Sequence, residues 1–291
     1  VFDGLTKLDR RWIYLLIAVG VIVSLLGPFS VDVSITTPAA RFYKAINDLP
    51  PGSTILVSMD LDPSTLPELE PIMAATIRHA LRRGVNVIGM TLLVEGASIG
   101  ERLMLEAQDE LNAQYAKAGE DRRITMGVDW VYLGFRSGYE AVILQLGEEI
   151  RRAYPTDFYG FPLDDYPMMA GIHSFADMGL LVTVSGTSLP VDWVSYAHTP
   201  FGIPVLVGCT AVSAPEFYAY MQTGQMEGIL GGLKGAAEYE KLINRPGDAM
   251  RGMVAQMVVH VLIVILILFG NLAYYGSRLV KKHRTREQGG S

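Results

Sequence analysis

Residues 54–93 read TILVSMDLDPSTLPELEPIMAATIRHALRRGVNVIGMTLL, and the order of signals in that stretch decides the architecture. TILVSM (54–59) and VNVIGMTLL (85–93) are short, β-branched and almost continuously apolar. Strands of that kind are buried on both faces, as in a parallel sheet covered by helices. Between them, residues 66–83 carry Leu69, Met73, Ile77 and Leu81 at four-residue spacing, the one-sided stripe of a helix.

The same alternation continues downstream. VDWVYLGF (128–135), GLLVTVS (179–185) and IPVLVGC (203–209) read as further strands. Residues 97–117 place Ile99, Leu103, Ala107, Leu111 and Tyr115 on one helical face, and residues 138–153 do so with Tyr139, Val142, Ile143, Leu146 and Ile150. Upstream, PAARFYKAINDL predicts a short helix that Leu49-Pro50-Pro51-Gly52 breaks. Alternating strands and helices imply right-handed crossovers and an α/β fold, a Rossmann-like three-layer domain with a mostly parallel sheet of about five strands.

Two apolar runs flank this domain. Trp12–Phe29 (WIYLLIAVGVIVSLLGPF) and Val254–Tyr274 (VAQMVVHVLIVILILFGNLAY) contain no Asp, Glu, Lys or Arg. A ~30 Å hydrocarbon core needs about 20 helical residues, so the second run is long enough and the first is borderline. Trp12, Tyr14, Tyr274 and Tyr275 stand where interfacial aromatics are expected. The first run reads as an uncleaved anchor rather than a signal peptide, because Gly27-Pro28-Phe29-Ser30 is a poor cleavage site.

Lys7, Arg10 and Arg11 precede the first run, and Arg278, Lys281, Lys282, Arg284 and Arg286 follow the second. The positive-inside rule then puts both termini in the cytoplasm of a two-pass cell-membrane protein. The expected order is a cytoplasmic N-terminus (1–11), a span (12–29), an extracytoplasmic α/β domain (30–252), a span (253–275) and a basic cytoplasmic tail (276–291). His260 and Asn271 lie inside the second run, where a polar side chain is costly unless paired. A helix–helix hydrogen bond, with Ser24 or with another subunit, is the plain reading of His260, and Asn271 stands close enough to the interface to need no explanation.

Composition agrees. Of the 291 residues 50% are hydrophobic and only 19% charged, with mean hydropathy +0.27. The net charge of −6 argues against a nucleic-acid partner, since phosphate binding needs clustered cations. A single cysteine, Cys209, excludes an intramolecular disulfide and any zinc site built from several thiols. His79, His173 and His198 are scattered without metal-ligand spacing.

Ligands of open α/β sheets bind at the carboxyl ends of the strands, near the switch in strand order. That rule selects Asp60, Asp62, Glu95, Arg136, Ser137, Ser185, Gly186, Thr187, Thr210 and Ser213, with Asp60, Asp62, Glu95, Arg136, Ser185 and Thr187 as the candidate ligand-binding set. The sharpest local feature is Ser58-Met59-Asp60-Leu61-Asp62-Pro63-Ser64-Thr65, where Asp60 and Asp62 are the catalytic and metal candidates. This string resembles the first motif of the haloacid-dehalogenase-like phosphatases. The resemblance implies an attacking aspartate at Asp60, an acid at Asp62 and a phosphate-gripping Ser185. It covers these few residues, and no lysine or later acidic pair completes the pattern. A plain structural reading makes Asp62-Pro63-Ser64-Thr65 a turn and helix cap. No Gly-x-Gly-x-x-Gly, Walker loop or Gly-x-Ser-x-Gly elbow is present, so no cofactor is named.

Gly224, Gly228, Gly232 and Ala236 recur every four residues and on a helix would form a smooth ridge for a close-packed neighbour, within the domain or in another subunit. A Gly-rich anion loop with Lys234 is the third reading. Two functions follow. One is a scaffold, assembly or ligand-binding subunit of a membrane complex, its partners the lipid bilayer and a protein or second copy. The alternative is a metal-assisted hydrolase of an anionic or phosphorylated substrate centred on Asp60 and Asp62, with Mg²⁺ as its ion.

Overall fold

The computed structural model describes residues 9–27, 32–245 and 247–288. Lys7 and the last two residues of the expected first span, 28 and 29, lie outside them. The chain divides into two compact units, residues 33–250 and the terminal segments 1–32 with 251–291.

The central unit is a six-stranded, all-parallel Rossmann-like sheet. Its strands are β1 (Thr54–Asp60), β2 (Asn86–Thr91), β3 (Trp130–Phe135), β4 (Leu180–Ser185), β5 (Val205–Cys209) and β6 (Gly228–Gly231), in the order β3-β2-β1-β4-β5-β6. Every residue of β1, β4 and β5 is buried, as their unbroken apolarity requires when both faces are covered.

Outside the sheet lie α1 (Arg10–Leu26), α2 (Thr37–Asn47), α3 (Leu66–Arg83), α4 (Gly96–Ala118), α5 (Tyr139–Glu148), α6 (Leu189–Trp193), α7 (Ala214–Gln222), α8 (Gly232–Leu242) and α9 (Asp248–Gln288). The helix expected over 66–83 is α3, opened by Pro67 and closed by Gly84 at φ 75°. One sheet face packs a continuous core from Leu56, Ile88, Val131, Leu181 and Val207 against α5, α6 and α7. The other carries α2, α3, α4 and α8.

The sixth strand was not expected, and it corrects the glycine ridge. Residues 224–240 are not one helix: Gly224 sits in a turn at φ 79°, Gly228 begins β6 and Gly232 opens α8 at φ 57°. Gly228, Gly232 and Ala236 are buried inside the domain, so the four share no exposed face. A Cβ on Gly228 would stand 2.4 Å from the backbone nitrogen of Phe42 in α2. Short β6 gives up side chains so that α2 can cross it closely. Gly228, Gly232 and Ala236 therefore pack within the domain, and the continuous helical ridge on which a subunit contact would rest is not formed.

Helix α8 also holds the residues where the domain's chain begins and ends. Buried Glu238 accepts from the Thr36 backbone N–H at 3.0 Å and its hydroxyl at 2.5 Å, and pairs with Lys234. Buried Glu240 accepts from the backbone N–H groups of Gly247 (2.9 Å), Ala249 (3.1 Å) and Met250 (3.2 Å), which open α9. A carboxylate there satisfies orphan donors and opposes the positive end of the helix dipole.

In the terminal unit, residues Asp248–Gly276 of α9 are long and apolar enough to cross a membrane, with mean hydropathy 2.6 and only 6% of the apolar window buried. It is the single such helix among the described residues. Over the expected N-terminal span the described residues hold α1, a helix of 17 residues, shorter than the ~20 that the hydrocarbon core requires. Ser24 bonds back to the Gly20 carbonyl at 2.7 Å, whereas His260 is exposed, so that pairing is not made.

Two alanine substitutions separate the strand-and-turn geometry from a continuous helix. Gly228→Ala is expected to cost about 1–3 kcal/mol through overpacking against Phe42. Gly224→Ala, with open space but a left-handed backbone, is expected to cost about 1 kcal/mol. On a helix both changes would stabilise by about 1 kcal/mol, so a rise in the thermal midpoint of either variant in mild detergent would refute the geometry.

Candidate binding site at the strand switch point

Strand order reverses between β1 and β4, which makes their carboxyl ends the crevice position of a doubly wound sheet. Asp60 closes β1 there and pairs in register with Ser185 of β4; Ser58 pairs with Thr183 one step back. Side chains two apart on a strand share a face, so Ser58, Asp60, Thr183 and Ser185 form a polar patch in an otherwise apolar layer.

Asp60 is completely buried. Its carboxylate accepts from the Ser58 hydroxyl at 2.6 Å and the Leu92 backbone N–H at 2.7 Å, with Thr91 Oγ1 at a long 3.4 Å. Burial pushes its pKa up to about 6 against the opposing pull of these donors. The Trp193 indole comes near enough to favour the charged form, yet its N–H lies outside normal hydrogen-bond geometry and has no partner. The buried Tyr154 hydroxyl and Thr183 Oγ1 are likewise unpartnered. Burial raises the Tyr154 phenol, Arg136 pulls it back and Asp60 adds to the rise. The Arg136 guanidinium lies 5.7 Å from that ring's centroid.

The other residues singled out by position divide between this patch and plain capping. Asp62 accepts from the Ser64 N–H at 2.8 Å and the Thr65 hydroxyl at 2.7 Å, and its pKa is held down by Ser64 first and Thr65 next. It opens α3 as a turn, while Asp60 is held in the buried layer. Ser185 and Thr187 bond to each other, with their oxygens 2.9 Å apart. A Cβ on Gly186 between them would stand 2.5 Å from Thr65. Glu95 is exposed at the start of α4 and makes no capping bond. Ser137 is exposed, and Thr210 and Ser213 bond each other before α7. Among the described residues no group of three or more His, Cys, Asp or Glu side chains could hold a metal ion.

Ser58 was legible from the two-residue period of β1. Trp193 and Tyr154 carried no such signal, because they reach Asp60 from segments more than ninety residues downstream in the chain. A cavity of about 380 Å³ lies elsewhere, lined by Leu66, Glu70, Arg78, Leu103, Glu106 and Glu240 among others. Four of its five charged residues are already engaged, the fifth being Asp248: Arg102 takes Glu70 and Glu106, Arg78 takes Glu110, and Glu240 caps α9. Unspent donors lie at the switch point instead.

No protein-family model, curated protein or solved structure matches this chain. Fold and site define its class: a Rossmann-like α/β domain continuous with a helix of membrane-spanning length.

Two buried groups give opposite pH responses. Asp60 binds its proton more tightly folded than unfolded (about 6 against 3.8). Its contribution is full below pH 3.8 and is lost as pH rises to about 6. His79, stacked on Tyr43 and 2.6 Å from the Tyr239 oxygen, is pushed down to about 4 by burial, Arg82 and Arg83. Its contribution is full above pH 6.5 and is lost as pH falls to 4. Each is worth about 3 kcal/mol, so they nearly cancel between pH 4 and 6. Asp60→Asn, which can donate to Ser58 and accept from Leu92, should leave stability rising with pH across that window; His79→Gln should leave it falling. Denaturation curves at several pH values check this, and slopes of the same sign in both variants would contradict it.

Proposed function

We propose that this protein is a two-pass membrane protein whose α/β domain stands outside the cytoplasm as a ligand-binding or assembly subunit. The observation that carries the binding reading is the set of unpartnered buried donors, Trp193 Nε1–H, Tyr154 O–H and Thr183 O–H, in the layer beside Asp60. Orphaned buried donors cost about 1–3 kcal/mol each, a cost recovered when a molecule bringing acceptor oxygens enters. Asp60 beside them disfavours an anion and favours a small neutral compound with carbonyl and hydroxyl groups. The π-helical turn Val194–His198 follows Trp193 directly, and such turns concentrate at functional sites.

Two-pass topology is supported by the cations outside both apolar runs and by the packing of α1 on α9, where a Cβ on Gly20 would meet Leu262 at 2.8 Å. With α9 paired to it, a 17-residue helix can cross a locally thinned bilayer. The hydrolase reading needs Asp60 and Asp62 to act on one substrate, and Asp62 is spent on the α3 turn.

The test uses the full chain in mild detergent with a panel of small carbonyl and hydroxyl compounds. At least one compound is expected to raise the thermal midpoint, and Trp193→Phe to abolish that rise while the domain stays folded. Metal-dependent turnover of phosphoesters that is lost in Asp60→Asn would overturn the binding reading in favour of the hydrolase. For topology, protease added to sealed right-side-out cells should cut the central domain; protection until lysis would reverse the assignment.

A further inference from the structure

Helix α9 has two unlike faces. Val254, Ala255 and Ala273 are buried, Val258, Leu262 and Leu266 are half-buried, and the side chains of Val258 and Leu262 lie against Gly20 of α1. At about 100° per residue, Ala255, Val258, Leu262, Leu266 and Ala273 fall in one narrow sector of the helix. Gln256, His260 and Asn271 fall together on the far side of it, and all three are exposed. Among the described residues none of their side chains has a hydrogen-bond partner.

In hydrocarbon an unpaired amide or imidazole is costly, and the chain's other helix at this level covers the opposite face. Partners must therefore come from another molecule. The chemistry of the stripe indicates which: each of its polar groups both donates and accepts. An amide offers N–H and C=O, and a neutral imidazole offers one nitrogen of each kind. Two copies inserted in the same sense lie parallel, so a two-fold axis along the bilayer normal sets each residue against itself. Only side chains of this ambivalent type bond their own copies, whereas Lys, Arg, Asp or Glu would repel theirs. With a rise of about 1.5 Å per residue, His260 lies about 6 Å beyond Gln256, and Asn271 about 16 Å further along. These levels match only in a parallel, in-register pair.

We propose that α9 carries a homodimer contact, in which the face bearing Gln256, His260 and Asn271 packs against the same face of a second copy within the bilayer. This rests on reading α9 as a membrane span. The experiment uses the full chain in native membrane vesicles, treated with an oxidant after single cysteines are placed on α9. Val264→Cys and Ile267→Cys lie on the polar face, and Ile265→Cys lies away from it, at the edge of the α1-facing sector; native Cys209 is buried and stays silent. Disulfide-linked dimers are expected from Val264→Cys and Ile267→Cys and not from Ile265→Cys. Adding Gln256→Leu, His260→Leu and Asn271→Leu to Ile267→Cys should cut the yield on the order of tenfold. Equal yields at all three positions, no dimer at any, or a yield unchanged by the leucines would overturn the contact. Alkaline carbonate extraction of the unsubstituted protein is read alongside: retention with no dimer defeats this proposal alone, and release defeats the membrane reading on which it rests.

Discussion

A parallel sheet has no face it can leave in water, and in this domain that requirement governs most of what surrounds the sheet. With β1, β4 and β5 buried at every residue, both layers of helices must be held in place. At the β6 edge the covering is done by α2 and α8, which meet through Phe42, Tyr239 and the glycine at 228. The two glutamates of α8 then fasten the chain on either side of it, Glu238 at Thr36 and Glu240 at Gly247, Ala249 and Met250. Their buried carboxylates are tolerable because each accepts several hydrogen bonds, and removing one would strand backbone N–H groups away from water. One short helix thus closes the edge of the sheet and secures both ends of the domain.

The same requirement explains why the switch point is a closed polar patch rather than an open cleft. Covering the β1–β4 face with α5, α6 and the turn that follows, through Val194 and Ala197, brings Trp193 and Tyr154 into the layer of Asp60. Desolvation then dominates the carboxylate's environment and raises its pKa, although two short hydrogen bonds oppose the rise. An apolar layer that strands three polar donors beside one acid is expensive, since each lost hydrogen bond leaves its desolvation uncompensated. Asp62, two residues on, escapes this environment because the chain has already turned outward into the start of α3.

The chain's own sequence fixed much in advance where the signal was local. Helix α3 was legible to the residue from Leu69, Met73, Ile77 and Leu81, and five strands from unbroken β-branched runs, since period and burial there are properties of a few adjacent side chains. Strand β6 was not, because Gly228-Ile229-Leu230-Gly231 has too few side chains to show a period, and its flanking glycines imitate a helical four-residue repeat. Its identity as a strand comes from pairing with β5 and from the close approach of α2, both remote in sequence.

Position at a strand end is enough to single out Asp60 and Ser185, because chain order implies which ends face a crevice. What only the tertiary structure decided was the division of labour: Asp62 and Thr187 went to local turns, Asp60 to the buried layer, and Trp193 and Tyr154 arrived there unannounced. By itself the sequence determined an alternating α/β domain beside an apolar helix of membrane-spanning length, since apolar period and run length are written along the chain. Which polar groups end without partners depends on what the packed helices exclude from water, and that is set only when distant segments meet.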